Sequence, residues 1–140
     1  MAPRNPFTWP VTVCPEDIDG QGHASNVCVV NWMNHAAWEH SKALGWDVED
    51  YRRLGGWFVV RRHEIDYHRP SFAGDELRCI TWPCALGKAV AERKHRIVRV
   101  SDGQLIAEGF NIWALIDAQT GRPKRMPEEV RAAFDPAKFE

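Results

Sequence analysis

Two aspartates, two glycines, a histidine and an asparagine fall in the stretch Asp17-Ile18-Asp19-Gly20-Gln21-Gly22-His23-Ala24-Ser25-Asn26, just ahead of the most apolar helix-like segment of the chain. These residue types suit acyl transfer. A carboxylate can attack an electron-poor carbonyl carbon, or take a proton from a water that does. Gly20 and Gly22 let backbone amides approach a ligand closely. A helix opening at Asn26 has N–H groups without intrahelical acceptors and the positive end of its dipole there, which suits a developing oxyanion. The same residues have a plainer use, since an Asp, Asn or Ser before a helix commonly caps it. A dinucleotide site is disfavoured, because Gly20-Gln21-Gly22 is not followed by the third glycine and no parallel β-α-β unit surrounds it.

The elements that must position this loop follow from the periodicity of the chain. Residues 7–15 read as a first strand, with Pro10 indicating an edge position or a bulge. Residues 26–45 read as a long helix, capped by Ser25 or Asn26 and ended by Gly45. Val29, Met33, Ala36, Ala37, His40 and Leu44 form its apolar stripe, while Val27, Val30, Trp32 and Trp38 lie on other sides, so other structure should wrap it. A short helical piece spans residues 47–55. The period then changes to two, and residues 57–69, 76–86, 89–100 and 104–117 read as four strands separated by turn-like breaks. Strands in such series predict an antiparallel meander. The tail, residues 120–134, is a turn and a short helix. The fold class is α+β: a long helix inside a curled antiparallel sheet.

At 140 residues, with 44% apolar and 26% charged residues, the chain is expected to form one soluble domain with a real core. A net charge of −1 gives no whole-surface attraction for nucleic acid or acidic membranes. There is no membrane-length apolar run and no signal-peptide core at the start, so a cytoplasmic location is expected. Cys14, Cys28, Cys79 and Cys84 form no C-x-x-C motif and read as reduced, partly buried thiols.

The chain as a whole resembles the hot-dog-fold acyl-CoA thioesterases of the 4-hydroxybenzoyl-CoA thioesterase-like family. The loop Asp17–Asn26 matches their Asp-x-Asp-x-x-Gly-(His)-x-x-Asn pattern. A second block contains Tyr67, Arg69, Pro70, Gly74 and Asp75, and a third runs along the last strand and its exit. The resemblance covers roughly residues 8–132 and implies the following roles. Asp19 is the catalytic carboxylate, as nucleophile or general base. The backbone N–H of Asn26 polarises the thioester carbonyl. Gly22 and His23 shape the loop, and Asp17 is an acid of the substrate site that orders the loop rather than reacting. The chain departs from many members in having Val29 for an aromatic residue and Asn34 for an acid. The family further implies a homodimer or homotetramer with sheets joined edge to edge and sites at the subunit boundary. Hydrolysis of this kind needs no metal or redox cofactor; coenzyme A is part of the substrate.

Other residues compete for roles. Asn31, His35 and Glu39 form one polar stripe on the long helix. Glu39 is therefore an alternative catalytic carboxylate, as in hot-dog enzymes that take theirs from the helix, while an outward or subunit-facing row is the plainer reading. On the third long strand, alternation sets Arg93, His95 and Arg99 on one face and Lys94 and Arg96 on the other. Arg61, Arg93 and Lys94 are candidates for the phosphates of coenzyme A, with Arg62, Lys88 and Arg122 as competitors. The histidine pairs His63/His68 and His35/His40 have spacings that do not suit a shared metal, and all histidines except His23 read as structural. The seven tryptophans suit an aromatic acyl pocket, the core or a subunit interface. The primary expectation is an acyl-CoA thioesterase. Its rivals are a hydratase or dehydratase of enoyl thioesters on the same fold, and a non-catalytic protein that binds acyl-CoA or acyl-carrier protein.

Overall fold

The computed structural model describes residues 2–140. Strand β1 (Phe7–Thr12) leads through a short 3-10 turn (Pro15–Asp17) and the loop to helix α1 (Asn26–Ala43). Helix α2 (Val48–Leu54) follows, then strands β2 (Gly56–Tyr67), β3 (Glu76–Leu86), β4 (Val90–Arg99) and β5 (Leu105–Asp117), and helix α3 (Glu128–Ala133). Ser25 is the N-cap of α1, its side chain accepting from the Cys28 N–H at 3.3 Å. The helix stops at Leu44, ahead of Gly45, which takes the left-handed φ of 92°.

The strands form one antiparallel sheet in the order β1-β3-β4-β5-β2. The expected meander holds for β3-β4-β5 and fails for β2, which pairs with β5 rather than with β3. Connection length explains the difference. Residues 87–89 and 100–104 close hairpins, whereas residues 68–75 are long enough to cross to the other side of the sheet. Pro10 lies on the edge strand β1, as its missing N–H requires, and Pro83 sits where the β3–β4 register shifts.

Helix α1 lies against the sheet through Val29, Met33, Ala36, Ala37, His40 and Ser41. Val29, Met33 and Ala36 join Val13, Leu77, Ile97 and Ala107 in the main core. A second cluster gathers Leu115, Met126, Val130 and Phe134, with Leu44, Trp46 and Phe58 against it. Of the expected β4 face, Arg93 and His95 are buried and Arg99 is half-buried, while Lys94 and Arg96 on the other face are exposed. All four cysteines are free, with Cys79 buried and the others half-buried. Among the described residues, no helix is long and apolar enough to cross a membrane.

Candidate active site

The loop between β1 and α1 is a small turn closed by backbone hydrogen bonds. Asp19 N–H donates to the His23 carbonyl at 3.0 Å, Ser25 N–H to the Asp17 carbonyl at 3.0 Å, and Gly22 N–H to the Asp19 carbonyl at 3.1 Å. Closing so tight a turn needs the left-handed φ of 86° at Gly22, a conformation costly for any residue with a Cβ. Ala24 N–H donates to the Ser71 carbonyl at 2.8 Å, which ties the loop to the connection between β2 and β3.

The two acids of the loop have separate fates. Asp17 Oδ2 accepts from the Cys14 N–H at 2.8 Å, and its Oδ1 lies 3.6 Å from the Cys28 Sγ. Its carboxylate is engaged in binding the 3-10 turn to the start of α1, and it does not line the cleft described below. Asp17 thus orders the loop, as the resemblance implied, from a position outside the cleft lining. Asp19 is exposed. Its Oδ1 accepts from the Gln21 N–H at 2.8 Å, and its Oδ2 has no partner among the described residues.

At the start of α1 the Ser25 cap satisfies Cys28, and the Asn26 N–H finds no acceptor among the described residues. The Asn26 carbonyl accepts from the Tyr67 hydroxyl at 3.4 Å. Partial burial raises the Tyr67 phenol above its ordinary pKa, so it stays protonated as a donor. Asp19, His23, Asn26 and Val29 line an open cleft of about 720 Å³, faced by Tyr67 and Arg69. The His23 ring is half-buried, with Nδ1 3.4 Å from the Ala24 carbonyl, too long for a strong bond. The cleft thus gathers a residue with a free carboxylate oxygen and a residue with an unpaired helix-start amide, the two groups that addition of an oxygen nucleophile to a carbonyl requires.

The remaining candidates lie elsewhere. Glu39 pairs with Lys42 at 3.5 Å and with His35 at 3.6 Å. With Asn31 and His35 exposed, this is the outward polar row of α1, and Glu39 lines none of the three cavities. Arg93 is not a surface phosphate ligand, because alternation turns it inward beneath α1, where it bonds His40 and Thr81. Lys94 is exposed on the opposite face of β4, in a depression shared with Glu64, Asp66 and Glu108 rather than in the cleft. Arg61 is exposed on β2, where the register with β5 shifts, and it too lies outside the cleft lining.

Tyr67 and Arg69 are the cleft residues to which sequence reasoning assigned no role. Arg69 is the one Lys or Arg among the described residues lining the cleft. Both stood in the second family-like block, and that block was the signal that pointed to them. Among the described residues, no three His, Cys, Asp or Glu side chains converge as metal ligands would.

Residues 6–134 match the family model described as acyl-ACP thioesterase N-terminal domain. A curated relative, the chloroplastic palmitoyl-acyl carrier protein thioesterase of Gossypium hirsutum, is 28% identical over 137 residues, covering 93% of this chain and 33% of that protein. The chain spans about a third of the length of the curated relatives it matches. Among solved structures, a 1,4-dihydroxy-2-naphthoyl-CoA thioesterase from Synechocystis superposes with a TM-score of 0.84 at 17% identity, over 93% of this chain and 96% of that one. The 12:0-ACP thioesterase from Umbellularia californica superposes with a TM-score of 0.83 at 21% identity, over 96% of this chain and 51% of that one. The sheet curled around α1 is the hot-dog fold, as the resemblance implied, and the chain belongs to the acyl-ACP thioesterase N-terminal domain family.

Proposed function

We propose that this protein hydrolyses an acyl thioester, releasing a free acid and a thiol. One observation carries the reading: Asp19, whose Oδ2 has no partner among the described residues, and Asn26, whose N–H has none, line the same open cleft. The thioester carbonyl oxygen is placed at the Asn26 amide, where the helix-start donor and dipole stabilise the charge that develops. Asp19 either attacks the carbonyl carbon or removes a proton from a water that does. The carbon–sulfur bond breaks with its electron pair on sulfur, and the departing thiolate takes the proton that Asp19 removed from water in the second route, or a proton from solvent in the first. In the first route, water then hydrolyses the mixed anhydride on Asp19. Gly22 sets the turn that holds Asp19.

The leaving thiol is the pantetheine arm that coenzyme A and acyl-carrier protein share. Arg69 at the cleft suits the phosphate attached to that arm, since a guanidinium pairs readily with phosphate oxygens. A thiol-release assay over matched acyl-CoA and acyl-carrier-protein substrates, with free thiol and free acid both quantified, tests the reading. Equimolar acid and thiol support it. Hydration of an enoyl thioester with no thiol released replaces it with the rival chemistry.

The same reading includes a homodimer. β2 is an edge strand of twelve residues whose outer side pairs with nothing among the described residues, and Trp57 and Tyr67 near its two ends are exposed. Such an edge is stable when paired or covered. Sedimentation equilibrium should show twice the chain mass or a multiple of it, and a monomer at micromolar concentration contradicts this part.

A further inference from the structure

A second cavity, about 150 Å³, lies away from the loop cleft and shares no lining residue with it. Its wall is largely aromatic: Trp38, Tyr51, Trp57, Phe58, Trp113 and Phe134. Arg93 also lines it, although only 6% exposed. The Arg93 Nη1 donates to His40 Nδ1 at 2.9 Å and to Thr81 Oγ1 at 3.1 Å. Both partners are uncharged acceptors, since burial pushes His40 down to about 3 and keeps it neutral. Nε and Nη2 find no acceptor among the described residues, and the side chain that carries them lines the cavity. Glu92, the acid in the wall, forms no ion pair with Arg93. The Tyr51 hydroxyl is already bonded to Ser41 at 2.7 Å.

A buried cation without an anion is costly, and such groups are ordinarily paired. The two unused nitrogens are adjacent on one edge of the guanidinium, the edge that takes a carboxylate through two parallel hydrogen bonds. The size of the cavity sets the rest of the ligand, because an apolar cavity of roughly 150 Å³ accepts benzene. We propose that this cavity is a binding site for a small apolar group bearing a carboxylate, with the carboxylate on the Nε/Nη2 edge of Arg93 and the apolar part among the tryptophans. The assignment goes beyond thioester hydrolysis and stands independently of it, since the two sites have no residue in common.

Benzoate is the direct probe, with benzyl alcohol and toluene as neutral probes of similar shape. Titrations of the whole protein at pH 7 are followed by the indole N–H resonances of Trp38, Trp57 and Trp113. The proposal expects benzoate to bind at least about tenfold more tightly than benzyl alcohol, shifting these three indoles first. In Arg93→Met the preference reverses, and toluene binds better than benzoate. Equal affinity for the charged and neutral probes in the unmodified protein overturns the proposal, as does a failure of benzoate to bind. A benzoate preference that survives in Arg93→Met also overturns it. The comparison in the unmodified protein decides the matter even where the variant does not fold. A purely structural Arg93, linking α1 to the sheet, predicts no preference between probes.

Discussion

Gly109 of β5 lies directly beneath Met33 of α1: a Cβ at position 109 would stand 2.6 Å from the Met33 Sδ and 2.9 Å from its Cε. Met33 is fully buried, so its flexible Sδ–Cε end can move aside only against packed neighbours. The missing side chain is what lets the helix seat on the sheet at this depth. Gly109→Ala is therefore expected to destabilise the fold by about 1–3 kcal/mol through overpacking. Pairing it with Met33→Ala should cost less than the sum of the two single changes, because the truncation vacates the space the new methyl needs. Urea unfolding of the four proteins checks this, and strict additivity contradicts the contact.

Stability should fall in mild acid. Burial pushes His40 and His95 down to about 3, with the nearby Arg93 charge adding to the effect. In the unfolded chain both titrate near 6.5. Between those values the unfolded state holds protons that the folded state refuses, so stability is intact above about pH 6.5 and is lost as pH falls toward 3. Within that window the slope is about 1.4 kcal/mol per pH unit for each histidine fully protonated only when unfolded. Unfolding free energies measured from pH 7 to pH 4.5 should show this decline, and His95→Asn should reduce it by about one proton. A flat profile over that range contradicts the buried neutral assignment.

Asp17 is predicted to matter to the loop and not to the reaction. Removing its carboxylate leaves the Cys14 N–H unpaired and loosens the join between the 3-10 turn and α1. Asp17→Ala should cost about 1 kcal/mol, the usual scale for a lost cap. Turnover measured well below the unfolding midpoint should persist, and a variant as stable as the parent but inactive would move the chemistry to this residue.

The legible part of the fold was what periodicity records. Alternation located the four long strands and the inward face of β4, and the stripe from Val29 to His40 is the buried face of α1. The loop was legible as a helix entrance because glycines and a capping serine precede an apolar helix, while its catalytic reading came from the family resemblance rather than from spacing. The crossing of β2 to the far edge was not, because pairing partners depend on contacts between distant segments that no local pattern encodes. The burial of Arg93 followed from the alternation itself, but its charge suggested a surface ligand. The aromatic cavity was hidden for a related reason: Trp38, Tyr51, Trp57, Trp113 and Phe134 come from five separate elements or connections and meet only in the folded chain.

The central claim is that the free oxygen of Asp19 drives thioester cleavage, and the Asp19→Asn variant tests it most directly. An asparagine Oδ1 can still accept from the Gln21 N–H, so the loop should keep its shape and the unfolding free energy should stay within about 0.5 kcal/mol. Thiol release by this variant, measured beside the parent protein and Glu39→Gln, should fall by at least about 100-fold while Glu39→Gln stays near the parent rate. Turnover by Asp19→Asn within about threefold of the parent, with the fold intact, would contradict the account.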